Sequence, residues 1–173
     1  MLKIHEIFLT FFYCGKIKKA PGTFGSFMAL VFWLALTKWF CDEQISILIQ
    51  NIFWGIFLTA AFIYGCLASP IYTKQFDESD HQTIVLDEVV GQILPLQFIF
   101  SFLHNEYFSH PSLMSAHLFF CFVLFRFLDI KKPLFIGLAD RNLKNGFGVM
   151  FDDLLCGIMV ALFAGVLFLK HLF

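Results

Sequence analysis

The sequence predicts an all-α fold: one polytopic helical membrane domain over residues 1–173, with about five spans and a cytoplasmic N-terminus. Three observations predict it. The chain is 59% apolar and only 14% charged, with 26 Phe, which is too little polar surface for a soluble domain of this length. Its apolar residues fall into five runs near the roughly 20 residues that cross a hydrocarbon core. Lys and Arg are gathered almost wholly on one side of those runs.

The N-terminal run 7–13 is short, and Gly15-Lys-Ile-Lys-Lys19 follows it in place of a small-residue cleavage site. It reads as an amphipathic lead-in lying at the interface, not as a cleavable signal. The first span covers 24–40. The second covers 45–68 and is closed by Ser69-Pro70. The third, 84–103, carries Asp87, Glu88 and Pro95, so a kink or a break is available there. The fourth covers 113–130 and is closed by Lys131-Lys132-Pro133. The fifth covers 151–169. With the N-terminus inside, the inner segments hold Lys3, Lys16, Lys18, Lys19, Lys74, Arg126, Lys131, Lys132, Arg141 and Lys144. The outer ones hold only Lys38 and Lys170.

A net charge of −1 gives no basic field for nucleic acid. The five cysteines are scattered, without CxxC or a Cys/His cluster, and read as free thiols. His5, His104, His110, His117 and His171 lie apart from the concentrated acids and read as structural or interfacial.

The chemistry lies in the acids. One carboxylate at a bilayer centre costs roughly 2.5–3.5 kcal/mol on insertion scales. This topology instead brings Asp87 and Glu88, Asp129, and Asp152 and Asp153 to helix ends at a single membrane face. Asp152 and Asp153 open span five after a flexible Asn145-Gly-Phe-Gly148. Asp77, Glu78, Asp80, His81, Asp140 and Arg141 sit in loops on the same side. Carboxylates so crowded repel unless some are protonated or a divalent cation neutralises them. Hard oxygen ligands favour Mg²⁺, which holds few carboxylates and often a substrate phosphate as well. Arg126 and Asp129, at i and i+3, share a helix face. Arg126 offers a planar fork and Lys132 a point charge, both suited to phosphate. Thr23 and Ser26, with the amides around them, open span one at a helix N-terminus where an anion can sit. Taken singly, each group has a plainer reading, as a helix-end charge, a structural ion pair or a positive-inside anchor.

Ala20-Pro-Gly-Thr-Phe-Gly-Ser26, Asp80-His81, Ile84-Val-Leu-Asp-Glu-Val-Val-Gly91, Phe125-Arg-Phe-Leu-Asp-Ile-Lys-Lys-Pro133, Asp140-Arg141 and Gly146-Phe-Gly-Val-Met-Phe-Asp-Asp-Leu-Leu-Cys-Gly157 resemble, in order, the phosphatidylglycerophosphatase A family. The resemblance covers about residues 20–157; Cys156 stands where the family often has Ala. It implies a Mg²⁺-dependent lipid phosphatase of the bacterial inner membrane that converts phosphatidylglycerophosphate to phosphatidylglycerol and phosphate, its site facing the cytoplasm. Carried onto this chain, the motif acids are Asp80, Asp87, Glu88, Asp129, Asp152 and Asp153 and the motif cations Arg126 and Lys132; of these we assign Asp87, Glu88, Asp152 and Asp153 to the metal. The catalytic set is Asp80, His81, Arg126, Asp129 and Lys132, and Thr23, Ser26, Arg126, Lys132 and Arg141 meet the substrate. A carboxylate or His81 serves as general base; attack by water and a phospho-aspartyl route both stay open. The expected partners are the phospholipid substrate and the bilayer, with the oligomeric state unassigned.

Other phosphatase chemistries fit poorly. Cys121 and Arg126 have four residues between them, one short of a cysteine-phosphatase loop, and no Asp-x-Asp-Gly-Thr is present. The rival from another class is a small cation or proton transporter using the same carboxylates. Against it, the acids cluster at one face and no inverted repeat is apparent.

Overall fold

The computed structural model describes residues 2–74, 83–132 and 146–169. Asp77, Glu78, Asp80, His81, Asp140, Arg141 and Lys144 fall outside them. Among the described residues there are six α-helices and no strand: α1 (Leu2–Leu9), α2 (Pro21–Asp42), α3 (Ile47–Thr73), α4 (Leu86–Tyr107), α5 (Pro111–Lys131) and α6 (Gly146–Leu169). The last five are long and apolar enough to cross a membrane. Their outward side chains are apolar too, with Leu48 67% and Val166 75% exposed, as expected where the surrounding solvent is lipid.

Helix α4 is the central one. Its apolar window is 67% buried, against 22% for α3 and α5, and it packs on α2, α3, α5 and α6. Buried polar side chains fix its rotation. Trp33 Nε1 donates to Gln97 Oε1 at 2.9 Å, and Gln97 Nε2 donates to Asn51 Oδ1 at 2.8 Å, which ties α4 to α2 and α3. Tyr107 and His117 share a 2.6 Å hydrogen bond that ties α4 to α5. His117 is thus structural, as expected.

Two boundaries differ from the sequence reading, each for a physical reason, and a third point, the passage of span three through Pro95, is settled by the packing. Ser69-Pro70 does not close α3, which runs on to Thr73 with Pro70 inside it. A helical proline strips the carbonyl four residues back of its donor, here Cys66 O. Gly146 packs so tightly onto that carbonyl and the Pro70 ring that a Cβ would overlap both. Helix α4 is likewise unbroken, with Pro95 inside it. The carbonyl it strips, Gly91 O, lies against Gly157 of α6, where a Cα–H can approach it. Finally, α6 starts at Gly146, not near 151. The glycine-bearing segment 146–148 is therefore helix, and Asp152 and Asp153 lie two turns into α6.

The contact between α4 and α6 sets the depth of the acids. A Cβ on Gly91 would strike Asp153 O and the Phe125 ring, and one on Gly157 would strike Gly91 O. Gly157→Val should force the two backbones apart and lower stability by about 1–3 kcal/mol. Thermal unfolding in detergent checks this, and an unchanged midpoint would refute the tight approach.

Helix α1 braces the start of α4. Glu6 pairs with Lys16, His5 Nδ1 lies 2.9 Å from Tyr64 OH on α3, and Val85 N–H donates to Leu9 O at 2.9 Å. Three successive positive φ values, at Phe11, Phe12 and Tyr13, turn the chain back on itself between these contacts.

Candidate active site

Three helix ends and the second turn of α6 meet at one end of the bundle around a cavity of about 430 Å³. The start of α2 contributes Ala20, Pro21, Gly22 and Thr23. The start of α4 contributes Asp87 and Glu88, preceded by Ile84. The end of α5 contributes Arg126, Asp129 and Ile130, followed by Lys132, and α6 contributes Asp152 and Asp153. Two other cavities, among α1–α4 and between α5 and α6, are lined by aromatic and aliphatic side chains. The acid–base cavity is thus the one equipped for polar chemistry among the described residues.

Local sequence explains each placement. Pro21 occupies the first helical position of α2, where its missing N–H costs nothing. The amides that follow have no intrahelical acceptor and give this end a partial positive charge. Asp87 and Glu88 stand in the first turn of α4, where the helix dipole favours acids. Asp87 Oδ1 accepts the Glu88 N–H at 3.0 Å. Lys132 terminates α5 in a left-handed conformation, φ 41°, its N–H donating to Leu128 O.

The charges sort themselves. Arg126 Nη1 is 2.6 Å from Asp129 Oδ2, and Lys132 pairs with Asp152. Among the described residues no cation forms an ion pair with the other three acids, Asp87, Glu88 and Asp153. Those three each offer a carboxylate oxygen, and the oxygens lie within 4.8 Å of one another. Ligands on one Mg²⁺ lie about 2.0–2.1 Å from it, so a modest side-chain adjustment would bring this trio onto one ion. The donor set, hard oxygens only, fits Mg²⁺ or Mn²⁺. Glu88 Oε2 is buried without a hydrogen-bond partner among the described residues, an arrangement that buried carboxylates rarely show.

Most of the anticipated site residues gather here: Thr23, Asp87, Glu88, Arg126, Asp129, Lys132, Asp152 and Asp153 all line the cavity. Glu88 and Asp153, far apart in sequence, are side by side. Ser26 lies behind the lining. It is fully buried, donates to Gly22 O at 2.9 Å and accepts from Arg126 Nη1 at 3.2 Å. It therefore orients the arginine from below the cavity. Asp80, His81 and Arg141 lie outside the described residues.

Gly22 was not singled out from the sequence. A Cβ there would overlap Glu88 Oε1 and come within 3.2 Å of Arg126 Nη2. Glycine is what lets an acid and a guanidinium sit flush against the first turn of α2. The Pro-Gly pair at a helix start was the available signal. Gly91 and Gly157 carried none, since their role depends on which helices adjoin.

The profile of the family described as phosphatidylglycerophosphatase A matches residues 7–168. A phosphatidylglycerophosphatase A of Haemophilus influenzae is 37% identical over 144 residues, covering 83% of this chain and 76% of that protein. One of Escherichia coli is 32% identical, covering 82% and 70%. A Bacteroides thetaiotaomicron protein, provisionally named a phosphatidylinositol-3-phosphatase, is 31% identical, covering 80% and 77%. No solved structure matches the chain.

Proposed function

The chain belongs to the phosphatidylglycerophosphatase A family, and from that premise we propose that it is a Mg²⁺-dependent lipid phosphatase. Its substrate is phosphatidylglycerophosphate, whose terminal phosphate monoester it hydrolyses at the cytoplasmic face of a bacterial inner membrane. The observation that supports this best is the meeting of Asp87, Glu88 and Asp153 with Arg126 and Lys132 in one cavity at the end of an apolar bundle. A phosphomonoester on a lipid needs that combination at headgroup depth.

In this reading Asp87, Glu88 and Asp153 hold Mg²⁺, and Asp152 serves Lys132. Arg126, clamped by Asp129 and steadied by Ser26, directs its fork at the phosphoryl oxygens, while Lys132 adds a second positive charge. Phosphoryl transfer asks the protein mainly for positioning and charge stabilisation. When bound, Mg²⁺ supplies a Lewis acid at the phosphoryl group. Thr23 and the first-turn amides of α2 face the same space and take the remaining phosphate oxygens. A carboxylate such as Asp80, or His81, serves as general base, and Arg141 adds a further phosphate contact.

The lipid tails have a path. Ile130 lines the cavity and is 67% exposed, and Phe27 and Phe127 nearby on α2 and α5 also face outward. A diacylglycerol body can thus stay in the bilayer while its phosphate enters from the side.

The test is phosphate release from phosphatidylglycerophosphate in mixed micelles. Release is expected with Mg²⁺, abolished by EDTA and restored by excess Mg²⁺. Phosphatidylinositol 3-phosphate and phosphatidic acid run in parallel define the substrate class. Absence of release from phosphatidylglycerophosphate with any divalent ion would defeat the reading, and EDTA-resistant release would defeat its metal part.

A further inference from the structure

Three side chains carry buried polar atoms without partners among the described residues: Glu88 Oε2, Arg126 Nε, and both Oε1 and Nε2 of Gln92. Gln92 is 0% exposed. A primary amide sealed in an apolar interior with neither end bonded is costly, so its surroundings are the place to look for its use. It lies four residues past Glu88 on α4, which puts both side chains on one helix face. It is also level with Arg126: the preceding residue on α4, Gly91, touches the ring of Phe125, which precedes Arg126 on α5.

The unpartnered atoms are complementary. Glu88 Oε2 is an acceptor, and Gln92 Nε2 a donor with two hydrogens. Arg126 Nε carries one hydrogen, and Gln92 Oε1 is an acceptor. Carboxylates that ligate metals generally accept a hydrogen bond on their second oxygen, which fixes the orientation of the first. We propose that Gln92 is a positioning residue lying beneath the site. Its carboxamide, unbonded in this structure, donates to Glu88 Oε2 and accepts from Arg126 Nε–H once a metal draws Glu88 into place, setting the metal-binding carboxylate and the phosphate-binding guanidinium in register. The inference rests on the metal site proposed above. Gln92 touches neither substrate nor metal; it acts through Glu88 and Arg126.

The test uses Mn²⁺ as the probe and the full-length protein in detergent. Unfolding temperature is followed as Mn²⁺ is titrated, which reports binding without turnover. Gln92→Met keeps the side-chain length and removes the amide. It should fold with an unfolding temperature at or above wild type in EDTA, because a buried unbonded amide is gone. Its half-saturating Mn²⁺ concentration should rise about tenfold or more, with a matching shift in the Mg²⁺ dependence of phosphate release. Gln92→Asn retains the amide but shortens the reach, and should show the same shift; it carries the test if Gln92→Met does not fold. A folded variant with a wild-type Mn²⁺ midpoint overturns the proposal. A wild-type protein whose unfolding ignores Mn²⁺ overturns the metal site and this inference with it, so the two failures are distinguishable.

Discussion

Asp153→Asn should fold and lose phosphatase activity by a factor of about 10²–10³, the range seen when one well-placed charge-stabilising group is removed from a site. The argument starts from its surroundings. Asp153 is 3% exposed, has Asp87, Glu88, Asp129 and Asp152 for charged neighbours, and forms no ion pair among the described residues. Without a divalent ion such a carboxylate repels its neighbours and gains little in exchange. Replacing it with the near-isosteric amide removes one like charge and leaves the packing of α4 on α6 untouched. The EDTA-treated variant should therefore be at least as stable as wild type, while the stabilisation added by Mg²⁺ should shrink. Unfolding temperature with and without Mg²⁺, beside phosphate release, reads both effects. A structural acid would give the reverse: lower stability and a small change in turnover. Retention of full activity in a folded Asp153→Asn would remove this residue from the site.

The chain makes that trade visible because so much of its pattern is local. Five apolar runs and a one-sided excess of Lys and Arg were enough for the span count. Once the spans alternate, Asp87, Asp129 and Asp153 must lie at the same end, whatever their order in sequence. What could not be read were features that belong to pairs of helices. Pro70 looked like a stop, and Pro95 like a place for a kink or a break, because proline ends or bends a helix in isolation. Inside the bundle, Gly146 and Gly157 close over the carbonyls they expose, and both helices continue. The same closeness moved the start of α6 back to Gly146 and turned the aspartates from helix-end charges into side chains two turns deep. Gly22 and Gln92 are of this kind as well. Their significance lies in what faces them across α2, α4 and α5, and no periodicity encodes that. The division of the five acids, two engaged by cations and three left to one another, also emerged only with the packing.

Arg126→Lys is the second large effect, expected to lower kcat/KM by about 10²-fold although the charge is kept. Arg126 is asked to do three things at once. It pairs with Asp129 at 2.6 Å, meets Ser26 Oγ at 3.2 Å, and presents its tip beside Gly22 where Glu88 also lies. A planar fork with five N–H groups can satisfy Asp129 and Ser26 and still offer donors to a phosphate; an ammonium with three donors on a flexible stem cannot do so in one orientation. The loss should fall mainly on kcat, since the fork's worth lies in matching charge as the phosphoryl group departs. Lys132→Arg, by contrast, enlarges a point-charge contact that is 31% exposed, and should cost less. The partner substitution separates a phosphate ligand from a structural ion pair. If Arg126 only served to neutralise Asp129, then Arg126→Lys with Asp129→Asn would recover activity lost by the first change. If the fork binds phosphate and Asp129 merely steers it, Asp129→Asn alone should cost about a tenth as much, and adding it to Arg126→Lys should change little further, because the geometry it protects is already gone. A double-mutant cycle on kcat/KM, read against unfolding temperature for each variant, decides between the two, and recovery in the double variant would assign Arg126 to the fold instead of the reaction.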